Sequence, residues 1–237
     1  AGDDDQAIFK WAGADVDHFI ALKEEVNDIK VLNQSYRIPG GPIHELSQNI
    51  INKVQNRFDK DYKPRDDEGI LKRYSDITQV DMSKGNWLVL SSANYFLDDA
   101  KDLCEIQGWY YQFKGRNSIP LKLLMALNNW EAWRKDAQLN HLEIKNIYEY
   151  LGSHVLPGFQ KGKTLHSDTK YLMKDCRAEH GLVTDSVWYE AFEGLDNMTE
   201  TYIRNMRANG EMINKNPRII MSTIHGAKGG EADKVLL

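Results

Sequence analysis

Three short strings in this 237-residue chain combine residue types suited to phosphate, sugar and base. The first is Gly2-Asp3-Asp4-Asp5-Gln6, followed by Phe9, Trp11, Gly13 and Asp15. A glutamine after a glycine-acidic turn offers a neutral amide that can sense a terminal phosphate without neutralising it. Two aromatics at i and i+2 can present rings to unpaired bases, a contact worth roughly 1–3 kcal/mol per base. The plainer account is a solvated acidic turn with two core aromatics. The second string is Asn33-Gln34-Ser35-Tyr36-Arg37 after an apolar run. An arginine in such a loop can swing into a phosphate site and stabilise charge during phosphoryl transfer, and a tyrosine beside it can stack on a purine. Its plainer account is a surface Arg with a half-buried Tyr. The third is Ser222-Thr223-Ile224-His225-Gly226-Ala227-Lys228-Gly229-Gly230-Glu231. Small residues there let a phosphate backbone approach, Thr223 and Lys228 supply a hydroxyl and a charge, and Glu231 can accept from a ribose hydroxyl. This is not a Walker A loop, because the Gly-Lys-Ser/Thr order is absent.

The elements that must hold these strings follow from hydrophobic periodicity. Ile43, Leu46, Ile50, Ile51, Val54 and Phe58 recur at three- and four-residue steps and predict an amphipathic helix over 43–58. Lys60–Gly69 is charged and turn-rich, and reads as an exposed loop. Trp87-Leu88-Val89-Leu90 reads as a strand buried on both faces. A helix follows through Phe96, Ala100, Leu103 and Cys104, stopped by Gly108. Tyr110–Phe113, Arg218–Ile224 and the run from Val235 are further strands. Strands separated by helices predict an α/β fold built on a parallel sheet. Residues 118–214 have a different texture, with Leu121, Leu124, Leu127, Trp130 and Trp133 at helical steps, and read as an all-helical insertion. The third string follows a strand, where open α/β sheets bind ligands.

Bulk properties narrow the classes. Hydrophobic content is 41% and charged content 27%, ordinary for a globular protein. The net charge of −5 provides no global basic field, which counts against coating DNA by charge alone but not against a local groove. No apolar run reaches membrane-spanning length. Cys104 and Cys176 have neither metal nor redox spacing and read as two free thiols, so no metal site is expected in this chain.

Taken together and in this order, the three strings resemble motifs III, IV and V of superfamily 1 DNA helicases of the UvrD/Rep type. GDDDQAIFKWAGAD matches motif III, SYR motif IV and STIHGAKGGEAD motif V. Ala7, Ala12 and Gly230 depart from the common pattern. The resemblance implies a RecA-like parallel sheet with flanking helices, a partial second motor domain carrying an accessory helical insertion. It divides the chain into residues 1–23 (tail of a first RecA-like domain), 24–117 (first part of the second), 118–214 (the insertion) and 215–237 (second part, truncated). It implies that Gln6 senses the ATP γ-phosphate, Tyr36 lies on the adenine, Arg37 contacts the γ-phosphate and Glu231 holds the ribose. Phe9 and Trp11 pack on single-stranded bases, while Thr223, His225 and Lys228 face DNA.

The expected function is therefore that of an ATP-dependent DNA helicase, of which this chain is a piece, in DNA repair or replication. ATP and Mg²⁺ would serve the whole protein, with neither held tightly by this part. Single-stranded and duplex DNA, a missing N-terminal motor domain and a protein bound by residues 118–214 are the expected partners. The compartment is the cytoplasm of a bacterium or of a virus-infected cell. Both ends read as cut. Without Walker A, Walker B and motif VI the piece alone is expected not to hydrolyse ATP at a useful rate, and residues 1–23 are expected to be displaced or poorly ordered for want of packing partners. Loops gathering Arg37 and Glu231 on a common rim of the parallel sheet are the expected geometry. The alternative is a non-motor module on a RecA-like scaffold that binds DNA or protein. A Gly-Lys-Thr loop upstream of Ala1 would favour the motor.

Overall fold

A computed structural model describes residues 2–8, 13, 15–211 and 216–237. The chain packs as two compact units, Ala1–Val80 with Ile224–Glu231, and Asp81–Thr223 with Ala232–Leu237.

The first unit is built around a parallel strand pair. β1 (Gln34–Gly40) lies beside β2 (Lys63–Glu68), with a register that shifts twice along its length. Gly41 adopts φ +65°, open to glycine, and Pro42 then starts α2 (Pro42–Ile51) at a position where its missing N–H costs nothing. α2 packs back on β1. α1 (Val16–Ala21) is capped by the Asp15 carboxylate, which accepts from the backbone N–H of His18. Two expectations are corrected here. The helix over 43–58 ends at Ile51, because the chain beyond it turns to make long-range contacts: the backbone N–H of Phe58 donates to Asp4 at 2.6 Å. The exposed loop over 60–69 contains a strand, formed by backbone pairing with β1 although its residues, Lys63 to Glu68, carry no hydrophobic signal.

The second unit is a mixed α/β assembly. Its five-stranded sheet runs in the order β5-β4-β8-β3-β9, from β3 (Trp87–Ser91), β4 (Tyr111–Phe113), β5 (Arg116–Asn117), β8 (Ile219–Thr223) and β9 (Lys234–Leu236). All neighbours are parallel except β4 and β5. Val89, Ile219, Met221 and Tyr111 lie on one face and are buried. Helices α3 (Asp98–Gln107) and α8 (Asn197–Ala208) cover that face: the Tyr111 hydroxyl donates to Glu105 at 2.7 Å, and its ring meets Tyr202. The other face carries Leu88, Leu90, Ile220 and Val235, and Ile220 is 44% exposed, so burial on both faces holds for one face only. Gly108 closes α3 at φ +69°, and the N–H of Trp109 returns to the Cys104 carbonyl at 2.8 Å, satisfying an orphan acceptor.

The stretch from α4 (Leu121–Trp133) to α8 also includes α5 (His141–Tyr148), α6 (Met173–Glu179) and α7 (Trp188–Ala191). It is not purely helical: β6 (Leu139–Asn140) pairs antiparallel with β7 (Lys170–Tyr171), and Val155 bridges Leu182. Its core is Leu124, Leu127, Trp130, Trp133, Ile144, Ile147 and Leu151, all fully buried. The two indole N–H groups are satisfied by the Ser186 and Tyr171 carbonyls, each at 3.0 Å, as burial of a tryptophan requires. Asn140 caps α5 in a reciprocal capping box with Glu143. No helix among the described residues is long and apolar enough to cross a membrane.

Candidate functional site

Most of the residues singled out by sequence meet in the first unit. Tyr36 and Arg37 stand on β1, not in a loop as expected. Within the stretch of β1 where the register shifts, the Ser35 hydroxyl accepts from the backbone N–H groups of Arg37 and Ile38, at 3.2 and 3.0 Å. Tyr36 is 83% exposed, an open ring available for stacking. Arg37 Nε lies 3.2 Å from Glu231 Oε2, with the two side chains 63% and 71% exposed. An Arg37 terminal nitrogen also points at the Gly229 carbonyl, at 3.5 Å. The pair meets as expected, but not on a rim of the five-stranded sheet: β1 hydrogen-bonds to β2 alone.

The glycine-rich turn holds its shape locally. Gly229 has φ +82°, a conformation that favours glycine, and the Gly230 N–H returns to the Ala227 carbonyl at 2.8 Å. From this turn Lys228 Nζ donates to the Gln6 carbonyl at 2.8 Å, and His225 Nε2 lies 3.1 Å from the Ile8 carbonyl. A carbonyl only accepts, so that contact places the imidazole proton on Nε2. Thr223 belongs to the other unit, where it ends β8 opposite Ser91 of β3. Phe9, Trp11 and Ala12 lie outside the described residues.

Gln6 closes a short 3-10 turn, Asp4–Gln6, capped by Asp3. Its side-chain amide donates to Asp3 Oδ2 at 2.5 Å. The turn is bonded to residues 57–60 through Asp3, Asp4 and Asp5; of the segment expected to be displaced or poorly ordered, residues 1, 9–12 and 14 lie outside the described residues. Lys60 Nζ lies 2.7, 2.5 and 2.9 Å from carboxylate oxygens of Asp3, Asp4 and Asp5. Arg57 adds a bidentate grip on Asp5 at 3.0 and 2.8 Å. Asp4 Oδ1 has no aligned hydrogen bond, but its charge is met by the Lys60 ammonium 2.5 Å away. Burial opposes the charged forms of this cluster. Hydrogen bonds and charge attraction outweigh it, holding the Asp3 and Asp4 carboxyls below the usual range and raising the Lys60 ammonium above its ordinary value.

The three carboxylates lie within 4.8 Å of one another, a spacing able to hold a cation. The ammonium of Lys60 already sits among them, so they do not fit a magnesium site. Sequence reasoning missed Lys60 and Arg57. The only signal was charge complementarity across more than fifty residues, which no local pattern displays.

No protein-family model, no curated protein and no solved structure matches this chain.

Proposed function

We propose that this chain is part of an ATP-driven DNA helicase of the UvrD/Rep type, with a RecA-like sheet in the second unit, working in the cytoplasm. The observation that carries the reading is convergence. Residues 224–231 of the string resembling motif V meet residues of the other two strings in one unit, through Lys228 on Gln6, His225 beside Ile8, and Arg37 on Glu231. Chance similarity at three separate places gives no reason for such contacts.

In this reading Tyr36 stacks on adenine and Glu231 accepts from the ribose. Arg37 turns to the γ-phosphate. An ion pair this exposed contributes about 0–1 kcal/mol, so a phosphate can take the place of Glu231 at little cost. The guanidinium then stabilises charge that builds up in phosphoryl transfer. Gln6 presents a neutral amide to the same phosphate or to the attacking water. His225 and Lys228 of the first unit are assigned to the nucleic-acid backbone, as the motif resemblance separately assigns Thr223, and Phe9 and Trp11 are assigned base-stacking rings. Mg²⁺ would neutralise phosphate charge, and the described residues provide no fitting site for it.

The test compares the full-length protein with its Arg37→Ala variant. Loss of ATP turnover by about 10³-fold or more, with single-stranded DNA binding retained, is the expected result. An Arg37→Ala variant that turns over like the wild type overturns the assignment.

A further inference from the structure

The tightest polar cluster of the first unit lies beside the residues assigned to nucleotide, not among them. Lys60 is only 14% exposed at its side chain and contacts three consecutive carboxylates. Burying charge in this way is a poor route to stability, because well-packed apolar groups of similar volume often do as well. Its distinctive effect is geometric. Asp3, held by Lys60, accepts from the Gln6 side-chain amide. An ionised carboxylate accepts and cannot donate, so the amide must present its nitrogen to Asp3. The opposite flip would set oxygen against oxygen. In the helicase reading, the side-chain oxygen of Gln6 and its second N–H are the atoms that would meet the ligand.

We propose that Lys60, supported by Arg57, is a positioning residue: through Asp3 it fixes the orientation of the Gln6 amide and ties the 3–8 segment to the 57–60 segment. The inference rests on the helicase reading, in which Gln6 meets the γ-phosphate or the attacking water. Both segments of the clamp belong to the first unit, so it acts within that unit. Arg57 secures the far side of the turn through Asp5, and the backbone N–H of Phe58 secures Asp4. The turn is thus held from three sides while Lys228 grips the Gln6 backbone.

Two variants of the full-length protein test this, Lys60→Met and Asp3→Asn. The second leaves Lys60 on Asp4 and Asp5 but lets a neutral side chain show either atom to Gln6. Both are expected to lower kcat for DNA-stimulated ATP hydrolysis, Lys60→Met by about ten-fold or more, with KM for ATP moving less than about three-fold because Tyr36, Arg37 and Glu231 are untouched. Lys60→Arg is expected to restore most of the loss. Hydrogen exchange gives a readout independent of turnover: amides of residues 3–8 exchange faster in Lys60→Met, while those of 87–91 and 219–223 keep their protection. Unchanged exchange at 3–8 overturns the clamp. Faster exchange with unchanged kcat in both variants overturns the positioning role. A parallel fall of kcat and rise of KM in Asp3→Asn also overturns it. A wild-type protein without DNA-stimulated turnover refutes the helicase reading instead, and leaves the exchange result to decide the clamp.

Discussion

Lys228 Nζ donates to the backbone carbonyl of Gln6 at 2.8 Å. A cation assigned to DNA is therefore bonded to the residue assigned to nucleotide. A DNA phosphate offers that ammonium a charged acceptor in place of a neutral carbonyl, and charge-assisted hydrogen bonds are roughly twice as strong as neutral ones. In the proposed helicase reading, a DNA phosphate that took Lys228 would leave the Gln6 carbonyl with the Ile8 N–H at 2.9 Å as its remaining donor, which would link the two assigned sites. In the full-length protein, Lys228→Met is expected to weaken single-stranded DNA binding evenly across sequences. It should also reduce the slope of log affinity against log salt by about one. Binding measured over a salt series checks both, and an unchanged slope removes Lys228 from the DNA contacts.

The acidic turn defines a pH window. Asp3 and Asp4 have folded pKa values below their ordinary value of 3.8, through Lys60. Their contribution to stability is therefore complete above the ordinary carboxylate range and is lost as pH falls through the depressed folded values. Lys60 is raised above its ordinary 10.5, so its contribution is complete below that value and fades only in stronger alkali. The clamp is expected to hold throughout the neutral range and to open in acid. Proton chemical shifts of the Gln6 side-chain amide should stay constant at neutral pH and move only on acidification. A transition near neutrality contradicts the assigned pairing.

The two thiols are expected to be inert in the folded chain. Burial pushes Cys104 and Cys176 up to about 12, which leaves almost no thiolate at neutral pH. Both are fully buried. A thiol-reactive dye should label Cys104 and Cys176 slowly in the native protein and fast once urea has unfolded it. Rapid labelling under native conditions at either position contradicts the packing described.

The stability of the second unit depends on its tryptophan core. Trp133 is fully buried, its indole N–H donates to the Tyr171 carbonyl, and its ring meets Trp130 edge-on. Trp133→Ala removes a large buried side chain and its hydrogen bond to that carbonyl, at a cost of about 3–5 kcal/mol. Urea unfolding followed by circular dichroism checks this. A loss below about 1 kcal/mol would place Trp133 outside the core.

Much of the second unit was legible in the sequence because its signals are local. The apolar run from Trp87, the Gly108 stop and the apolar positions of Ile219 and Met221 each mark an element from within a few residues. The first unit was less legible because its order comes from distant charges. Val54 and Phe58 continue the period of α2, yet the helix stops at Ile51 and Phe58 turns to Asp4. β2 consists of Lys63 to Glu68 and is a strand only because β1 lies beside it. The candidate site divides in the same way. Arg37, Glu231, Gln6 and Lys228 stood out through motif spacing, whereas Lys60 and Arg57 carry no motif and emerge only once the chain has folded.

The central claim is tested most directly by ATP hydrolysis in the full-length protein with and without single-stranded DNA. The account predicts low turnover alone and a marked rise when DNA is added. No hydrolysis in the presence of DNA that the protein demonstrably binds would contradict it.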